Sequence, residues 1–269
     1  MRPLLVAIDL DGTLIDLSLR IPPSAAAAVQ KLSDNAIAAV IATGRSALLI
    51  PPCVRSLPTV RYLITCNGAR LVDCLENREL YRKSLSPQAV CAVQETLLPF
   101  SPGLCRLGAE HIVINESYTS LFAQFAAMPD IEAYFRSLPL SASLPEGEAV
   151  DKINVLLPPE QLLQARAVLK KISGITVVSS SRFVLEIMAE GVSKASGLLF
   201  LCKHCGITPL QCAAVGDSEN DLALFRCAGV SVAMGNAQPA VKAAASFVST
   251  DLEQEGFANA VEYLLSLDA

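Results

Sequence analysis

Apolar residues in this chain fall into two kinds of segment. Short runs rich in Leu, Val, Ile and Ala end in a small or acidic residue, and longer Ala- and Leu-rich stretches with helical spacing follow them. The short runs predict buried strands at Leu4–Ile8, Ile37–Ile41, Tyr62–Thr65, Cys212–Val215 and Val230–Ala233. The longer stretches predict helices at Ser24–Asn35, at Ser46–Arg55 with a break at Pro51 and Pro52, at Ser193–Cys205 and from Glu219 onward. Strands that alternate with helices predict a parallel sheet covered by helices on both faces.

The pattern changes after about residue 70 and returns near Gly191. Arg70–Ser84 predicts a hairpin, and the following hundred residues mix helices with strands. In that interval the predicted helices are Ser86–Leu98, Pro129–Leu138 and Pro159–Lys171, and the predicted strands are His111–Asn115, Lys152–Leu157, Ile175–Val178 and Phe183–Met188. The predicted organisation is an α/β core with a Rossmann-like parallel sheet, residues 1–85 and 189–269, interrupted by an inserted α+β domain at residues 86–188.

Composition and charge argue against several classes of protein. Hydrophobic residues make up 52% of the chain and charged residues 17%, which is typical of a folded protein rather than a disordered one. No apolar run approaches the ~18 residues that a membrane span needs. A net charge of −5 and the lack of Trp argue against a nucleic-acid partner. The N-terminus does not resemble a signal peptide, so we expect a cytoplasmic protein. We also expect a monomer or a weak homodimer.

The cysteines raise the question of a disulfide or metal site. Their number, nine, is odd and their spacing shows no disulfide framework. Cys202 and Cys205 form a C-x-x-C motif with His204 between them, but no second pair of ligands completes a four-ligand zinc site. We interpret Cys202 and Cys205 as packed thiols of a helix.

Two carboxylates follow the first predicted strand, where α/β folds place their active sites. Asp9 and Asp11 are two residues apart, and burying both is costly unless a cation balances their charge. A site lined by such oxygens suits Mg²⁺. A strand followed by an ordinary Asp-Gly turn would have the same sequence, so this motif alone leaves both interpretations open.

Three more polar segments lie at predicted strand ends or helix starts. Thr43 and Gly44 offer a hydroxyl and bare backbone N–H groups that can hold a phosphate, although Thr-Gly is ordinary at such a turn. Lys194 begins a predicted helix, where its charge opposes the helix dipole unless a phosphate or carboxylates lie nearby. Asp217 and Asp221 can converge on one cation, or they can be ordinary acids of a first helical turn.

In this order and spacing the segments resemble the motifs of the haloacid dehalogenase-like phosphohydrolases, and most closely the Cof-type branch. The four matching motifs are Asp9-Leu-Asp-Gly-Thr-Leu14, Ala42-Thr-Gly-Arg45, Glu190-Gly-Val-Ser-Lys194 and Gly216-Asp-Ser-Glu-Asn-Asp221. Cys66-Asn-Gly-Ala69 also resembles a segment of this branch, whereas Ala195 replaces the Gly that usually follows the lysine. The branch carries a large cap between its second and third motifs. The resemblance therefore implies that residues 86–188 are a cap that sets substrate specificity.

The resemblance implies a Mg²⁺-dependent hydrolase of small phosphorylated metabolites, such as sugar phosphates or similar phosphomonoesters. Asp9 would be the nucleophile that forms an aspartyl-phosphate, and Asp11 would be the general acid and then the base. The implied Mg²⁺ ligands are the Asp9 carboxylate, the Asp11 backbone carbonyl and Asp217. The implied phosphate-binding groups are the Leu10 backbone N–H, Thr43, Gly44, Lys194 and Asn220. Asp221 would orient Lys194 or a metal-bound water.

Two alternatives remain at the level of sequence. A phosphomutase would return the phosphoryl group to a sugar, which requires the substrate to be held in two orientations. The arginines in residues 86–188 are scattered and form no cluster in the sequence that would hold a second phosphate; they are Arg106, Arg136, Arg166 and Arg182. A catalytically silent metal- or ligand-binding module would be expected to lack Asp9 or Asp11, and both are present.

Overall fold

The computed structural model describes residues 2–125, 136–138 and 140–267. Most of the helix predicted at Pro129–Leu138 lies outside these residues. The chain divides into two compact units. The first contains Met1–Arg45, Ile50–Tyr81 and Ser193–Ala269, and the second contains Ser46–Leu49 and Arg82–Val192.

Strands and helices alternate in the first unit and mix in the second. The strands are β1 (Leu5–Ile8), β2 (Ala38–Ala42), β3 (Val60–Thr65), β4 (Arg70–Asp73), β5 (Arg78–Arg82), β6 (Gly103–Leu107), β7 (Ile112–Ile114), β8 (Lys152–Leu156), β9 (Ile175–Ser181), β10 (Val184–Ala189), β11 (Cys212–Gly216), β12 (Val230–Ala233) and β13 (Phe247–Val248). The α-helices are α1 (Pro23–Asp34), α2 (Pro52–Arg55), α3 (Pro87–Leu97), α4 (Glu116–Phe125), α5 (Pro159–Leu169), α6 (Lys194–Cys205), α7 (Leu222–Cys227), α8 (Pro239–Ala244) and α9 (Gly256–Ser266).

The first unit is built on an eight-stranded sheet in the order β13-β12-β11-β1-β2-β3-β4-β5. The strands from β13 to β3 pair in parallel, and β4 is antiparallel to β3. β1 lies in the middle and is buried on both faces: Val6 and Ile8 pack in one core with residues of α1 and α9, and Leu5 and Ala7 pack in another with residues of α6. Ile8 lies opposite Val215, so the carboxyl ends of β1 and β11 meet at one edge of the sheet.

The second unit is built on a five-stranded antiparallel sheet in the order β7-β6-β8-β10-β9. One face of this sheet packs against α3 and α5, through residues such as Ile153, Val155 and Ile187. Because side chains alternate along a strand, Lys152, Asn154 and Glu186 belong to the other face. Lys152 and Glu186 form a buried ion pair there. The predicted fold class, a Rossmann-like α/β sheet interrupted by an α+β insertion, is confirmed.

The structure differs from the predicted elements in three places. The break predicted within Ser46–Arg55 is present, because Pro51, which lacks a backbone N–H, separates the two parts, but the first part is a 3₁₀ turn at Ala47–Leu49 rather than an α-helix. Strand β6 and helix α4 were not predicted. The start of α4 is fixed by the Asn115 side chain, whose Oδ1 accepts hydrogen bonds from the backbone N–H groups of Leu104 and Tyr118.

None of the described helices has both the length and the apolar character that crossing a bilayer requires. All nine cysteines are free thiols. Cys202 is buried and Cys205 exposed, and the candidate metal-binding group found among the described residues contains neither of them.

Candidate active site

Asp9 is held at the carboxyl end of β1. Its backbone N–H donates to the Val215 carbonyl at 2.9 Å, so the pairing of β1 with β11 continues one residue further. The chain then turns sharply, and Gly12 adopts a φ of +77°. A Cβ on Gly12 would lie 2.7 Å from Asp217 Oδ2. Glycine is therefore required at this turn both by the left-handed backbone and by the close approach of Asp217.

Lys194 lies at the first position of α6 and is fully buried. The helix start is fixed by Ser193, whose side chain accepts from the Ser196 N–H in a capping box. Lys194 Nζ donates to Asp9 Oδ1 at 2.5 Å and to Asp221 Oδ1 at 2.7 Å. The positive charge of Lys194 at this helix start is therefore balanced by carboxylates. The sequence had left open whether carboxylates or a phosphate would balance it.

Asp217 directly follows β11, and Asp221 is the last residue of the next 3₁₀ turn, Glu219–Asp221. Asp221 is fully buried, and its Oδ2 accepts from the backbone N–H groups of Asp217 and Ser218 at 3.1 Å each. With Lys194 on Oδ1, both oxygens of Asp221 are engaged. Asp217 Oδ1 accepts from Ser218 Oγ at 2.9 Å, and its Oδ2 accepts from Asn236 Nδ2 at 3.2 Å.

Asp9, Asp217 and Asp221 bring three carboxylate oxygens within 4.8 Å of one another. Their negative charges outnumber the ammonium of Lys194 by two. Burial, with the charges of Asp221 and Asp217, raises the pKa of Asp9 well above its usual range, although Lys194 opposes this. Burial and the charge of Asp221 raise the pKa of Asp217 to about 6. A donor set made only of oxygens, with two uncompensated charges, fits a hard divalent cation such as Mg²⁺.

Burial of Lys194 disfavours its charged form, but the charges of Asp221 and Asp9 outweigh that effect and raise its pKa above the usual value of a lysine. The lysine is therefore a permanent cation and hydrogen-bond donor at this site.

The residues predicted to bind phosphate lie at the same edge of the sheet. Thr43 follows β2, is fully buried, and donates its backbone N–H to the Ile64 carbonyl at 2.8 Å. The Leu10 side chain is also fully buried, so only its backbone could meet a ligand. Asn220 Nδ2 donates to Asn67 Oδ1 at 3.1 Å, and the Asn67 N–H donates to the Thr43 carbonyl at 3.0 Å. The segment after β3 thus joins the Thr43 turn to Asn220.

The Asp11 side chain does not join the carboxylate cluster of Asp9. It pairs with Arg45, whose Nε lies 2.9 Å from Asp11 Oδ2 and 3.1 Å from Oδ1, while Nη2 lies 2.7 Å from Oδ1. This pair joins the first motif to the second.

Three residues at the site were given no role by sequence reasoning: Arg45, Asn67 and Asn236. Arg45 and Asn67 lie within segments that were recognised, and the Asn67-Gly68 dipeptide is a signal for the left-handed backbone that Asn67 adopts at φ 55°. Asn236 also donates to the Gly12 carbonyl at 3.0 Å. It follows β12 by three residues, and its position near a strand end is the signal that could have found it.

Comparison with known proteins gives consistent matches over nearly the whole chain. The haloacid dehalogenase-like hydrolase family matches residues 6–261. A 5-amino-6-(5-phospho-D-ribitylamino)uracil phosphatase of Bacillus subtilis is 26% identical over 264 residues, covering 96% of this chain and 94% of the relative. An HMP-PP phosphatase of Serratia proteamaculans is 28% identical over 243 residues, covering 88% of this chain and 86% of the relative. The solved structure of a haloacid dehalogenase-like hydrolase from B. subtilis shares the fold, with a TM-score of 0.86 at 23% identity, covering 97% of this chain and 99% of that one.

Both sequence relatives bear the names of phosphatases, and their matches run across both parts of the core and the insertion. The predicted enzyme class, a haloacid dehalogenase-like phosphatase, is confirmed. The motifs, the fold and the family match over residues 6–261 agree, and the chain belongs to the haloacid dehalogenase-like hydrolases, in their Cof-type branch.

Proposed function

We propose that this phosphatase hydrolyses small phosphorylated metabolites, such as sugar phosphates or similar phosphomonoesters, with Mg²⁺ and through an aspartyl-phosphate on Asp9. The observation that carries the proposal is the buried Asp9 carboxylate, oriented by Lys194 beside Asp217 and Asp221. Fixed orientation and a dry, charged environment are what a carboxylate needs to act as a nucleophile. The relatives named for phosphorylated small molecules support the substrate class.

In the first half-reaction an Asp9 oxygen attacks phosphorus, and the bond from phosphorus to the leaving oxygen breaks. Asp11, in its protonated form, gives its proton to that oxygen, so the product leaves as an alcohol. In the second half-reaction the Asp11 carboxylate takes a proton from water, and the water oxygen attacks phosphorus. The bond from phosphorus to Asp9 then breaks, which releases inorganic phosphate and restores the Asp9 carboxylate.

The chain's own groups hold the transferring phosphoryl group. Lys194 supplies a fixed positive charge, Thr43 its hydroxyl, Asn220 its amide, and Leu10 and Gly44 their backbone N–H groups. Asp221 keeps Lys194 in place, since both of its oxygens accept hydrogen bonds from the surrounding chain.

Mg²⁺ would be held by the Asp9 carboxylate, the Asp11 backbone carbonyl and Asp217. When bound, it would neutralise the charge that builds up as two anions approach.

We expect EDTA to abolish phosphatase activity and added Mg²⁺ to restore it, because the carboxylates of the cluster need a divalent cation to balance them. Thermal unfolding gives a second readout: at 100 times its Kd the ion would stabilise the protein by about 2.7 kcal/mol. The Asp217→Asn variant should lose most of this stabilisation. Asp34→Asn removes one charge from the exposed end of α1 and should keep it. Full activity of metal-free protein, with no thermal shift on adding Mg²⁺, would contradict the metal assignment.

The inserted domain, residues 86–188, is the proposed source of substrate choice. All the residues assigned to the phosphoryl group lie outside it, and every phosphomonoester presents the same phosphoryl group. Selectivity must then come from surfaces that meet the leaving group. Lys83 lies in the segment that leads into this domain and Glu190 in the segment that leads out of it. A hydrogen bond connects the two segments, since Lys83 Nζ donates to the Glu190 carbonyl at 2.8 Å. Gly191, at φ +75°, can absorb a backbone change at low cost.

We expect changes at Asn154 to alter the ranking of substrates. Asn154 lies on the sheet face away from α3 and α5, and its Oδ1 accepts no hydrogen bond within the part of the chain that the structure describes. Asn154→Leu and Asn154→Asp should each change kcat/KM by about tenfold for some substrates relative to others, in a panel of phosphorylated sugars, nucleotides and cofactors. Gln88→Leu, an exposed amide on α3, is the matched control. A ranking that neither Asn154 variant changes would count against a specificity role for this sheet face.

A further inference from the structure

In the pair between Arg45 and Asp11 the carboxylate is the more exposed partner, as it also is in Arg70–Glu79 on β4 and β5, whereas two other arginine pairs show the opposite order. In the pairs Arg61–Asp73 and Arg82–Asp151 the carboxylate is fully buried and the arginine is the more exposed partner. At the site this order is reversed: the Arg45 side chain is 15% exposed and the Asp11 side chain 51%. In Arg61–Asp73 and Arg82–Asp151 the arginine compensates the charge of a buried carboxylate. In Arg45–Asp11 the carboxylate is exposed to solvent, the side from which a substrate would approach.

Arg45 is itself well fixed. Its backbone N–H donates to Thr43 Oγ1 at 3.1 Å, and its carbonyl accepts from the Cys66 N–H at 2.8 Å. The planar guanidinium then meets both Asp11 oxygens, through Nε and Nη2, at 2.7 to 3.1 Å. A two-point contact of this kind restrains the rotation of the carboxylate, whereas an exposed aspartate without it would sample several rotamers.

We infer that Arg45 is a positioning residue for the general acid: when Asp11 Oδ2 carries the proton, Oδ1 still accepts from Nε and Nη2 of Arg45, and the guanidinium thereby holds the carboxyl group in the orientation from which the leaving oxygen is protonated. The inference rests on the proposed function, in which Asp11 is that acid. General acid catalysis requires the proton donor to be within hydrogen-bond reach of the leaving oxygen, and small displacements are costly. A lysine could supply the charge but not the planar two-point contact.

The inference can be tested through the leaving group. In a reaction with a covalent intermediate, kcat/KM covers the steps up to departure of the leaving group and not the later hydrolysis of the aspartyl-phosphate. Three aryl phosphates of similar size, 4-nitrophenyl, phenyl and 4-methoxyphenyl phosphate, release phenolates of increasing basicity. The need for a well-placed acid increases in the same order, so a misplaced Asp11 should matter most for 4-methoxyphenyl phosphate.

Arg45→Met should lower kcat/KM for 4-methoxyphenyl phosphate by about tenfold more than for 4-nitrophenyl phosphate. Arg45→Lys should show a similar difference, because the two-point contact is lost although the charge remains. A role confined to stability would lower all three values by one common factor, since only the fraction of folded enzyme would change. Equal losses on the three substrates, or a wild-type pattern in Arg45→Lys, would overturn the inference.

Two further variants separate this inference from the proposed function. Asp11→Asn removes the acid and should show a steeper dependence on the leaving group than either Arg45 variant. If Asp11→Asn loses activity equally on all three substrates, the general-acid assignment itself fails. If Asp11→Asn behaves as expected and the Arg45 variants do not, only the positioning role fails. Arg20→Met, which breaks the exposed Arg20–Asp16 pair, controls for loss of a surface arginine and should keep the wild-type pattern.

Discussion

Asp9→Asn is expected to lower phosphatase turnover by at least about 10³-fold while the protein stays folded. An amide is nearly the same size as a carboxylate but is a poor nucleophile, so the aspartyl-phosphate cannot form. The change also removes one negative charge from a buried cluster with an excess of carboxylates, and Lys194 keeps Asp221 as a partner. We therefore expect little loss of stability.

The measurement is kcat/KM for p-nitrophenyl phosphate at saturating Mg²⁺, with the thermal midpoint of the same sample. Asp16→Asn is a matched control, because it makes the same chemical change at a partly exposed aspartate that pairs with Arg20. It should retain wild-type turnover. Mass spectrometry of the Asp9→Asn sample guards against deamidation, which would restore the aspartate. Wild-type turnover in a sample that is fully Asn at position 9 would show that the nucleophile is another group.

Lys194→Met is expected to lower the free energy of unfolding by about 3–5 kcal/mol, because it leaves buried carboxylates without their cation. Methionine has a similar length and fits an apolar site, so the loss comes mainly from charge rather than from a cavity. The same change removes the positive charge proposed to hold the phosphoryl group, and we expect kcat/KM to fall by at least about 10²-fold.

Chemical denaturation of metal-free protein measures the stability effect, and Lys203→Met is the matched control because Lys203 is exposed at the other end of α6. If Lys194→Met is too unstable to purify, the double variant with Asp221→Asn should recover part of the stability, since one uncompensated charge is removed. A Lys194→Met protein as stable as Lys203→Met would mean that the buried lysine does not balance the cluster.

Most of the core could be predicted from the sequence because its signals are local. Buried parallel strands form continuous apolar runs, and β1, β2, β3, β11 and β12 all lie within a few residues of their predicted positions. The inserted domain was harder. β6 alternates apolar and polar residues only briefly, and α4 begins after an asparagine cap whose partner, Leu104, is eleven residues away. Such a cap becomes evident only when the two segments are side by side.

The sequence by itself determined which residues stand at the ends of strands, and hence that Asp9, Thr43 and Asp217 share one edge of the sheet. That follows because parallel strands place their carboxyl ends together whatever the side-chain details. Only the tertiary structure decided that Lys194 lies between Asp9 and Asp221, where the family resemblance had offered Lys194 as one of two partners of Asp221, and that Asp11 pairs with Arg45 and Asn67 with Asn220. The residues of these pairs are 27 to 185 positions apart in the chain. Strand order, register and rotamers bring them within hydrogen-bond distance, and local sequence patterns specify none of the three.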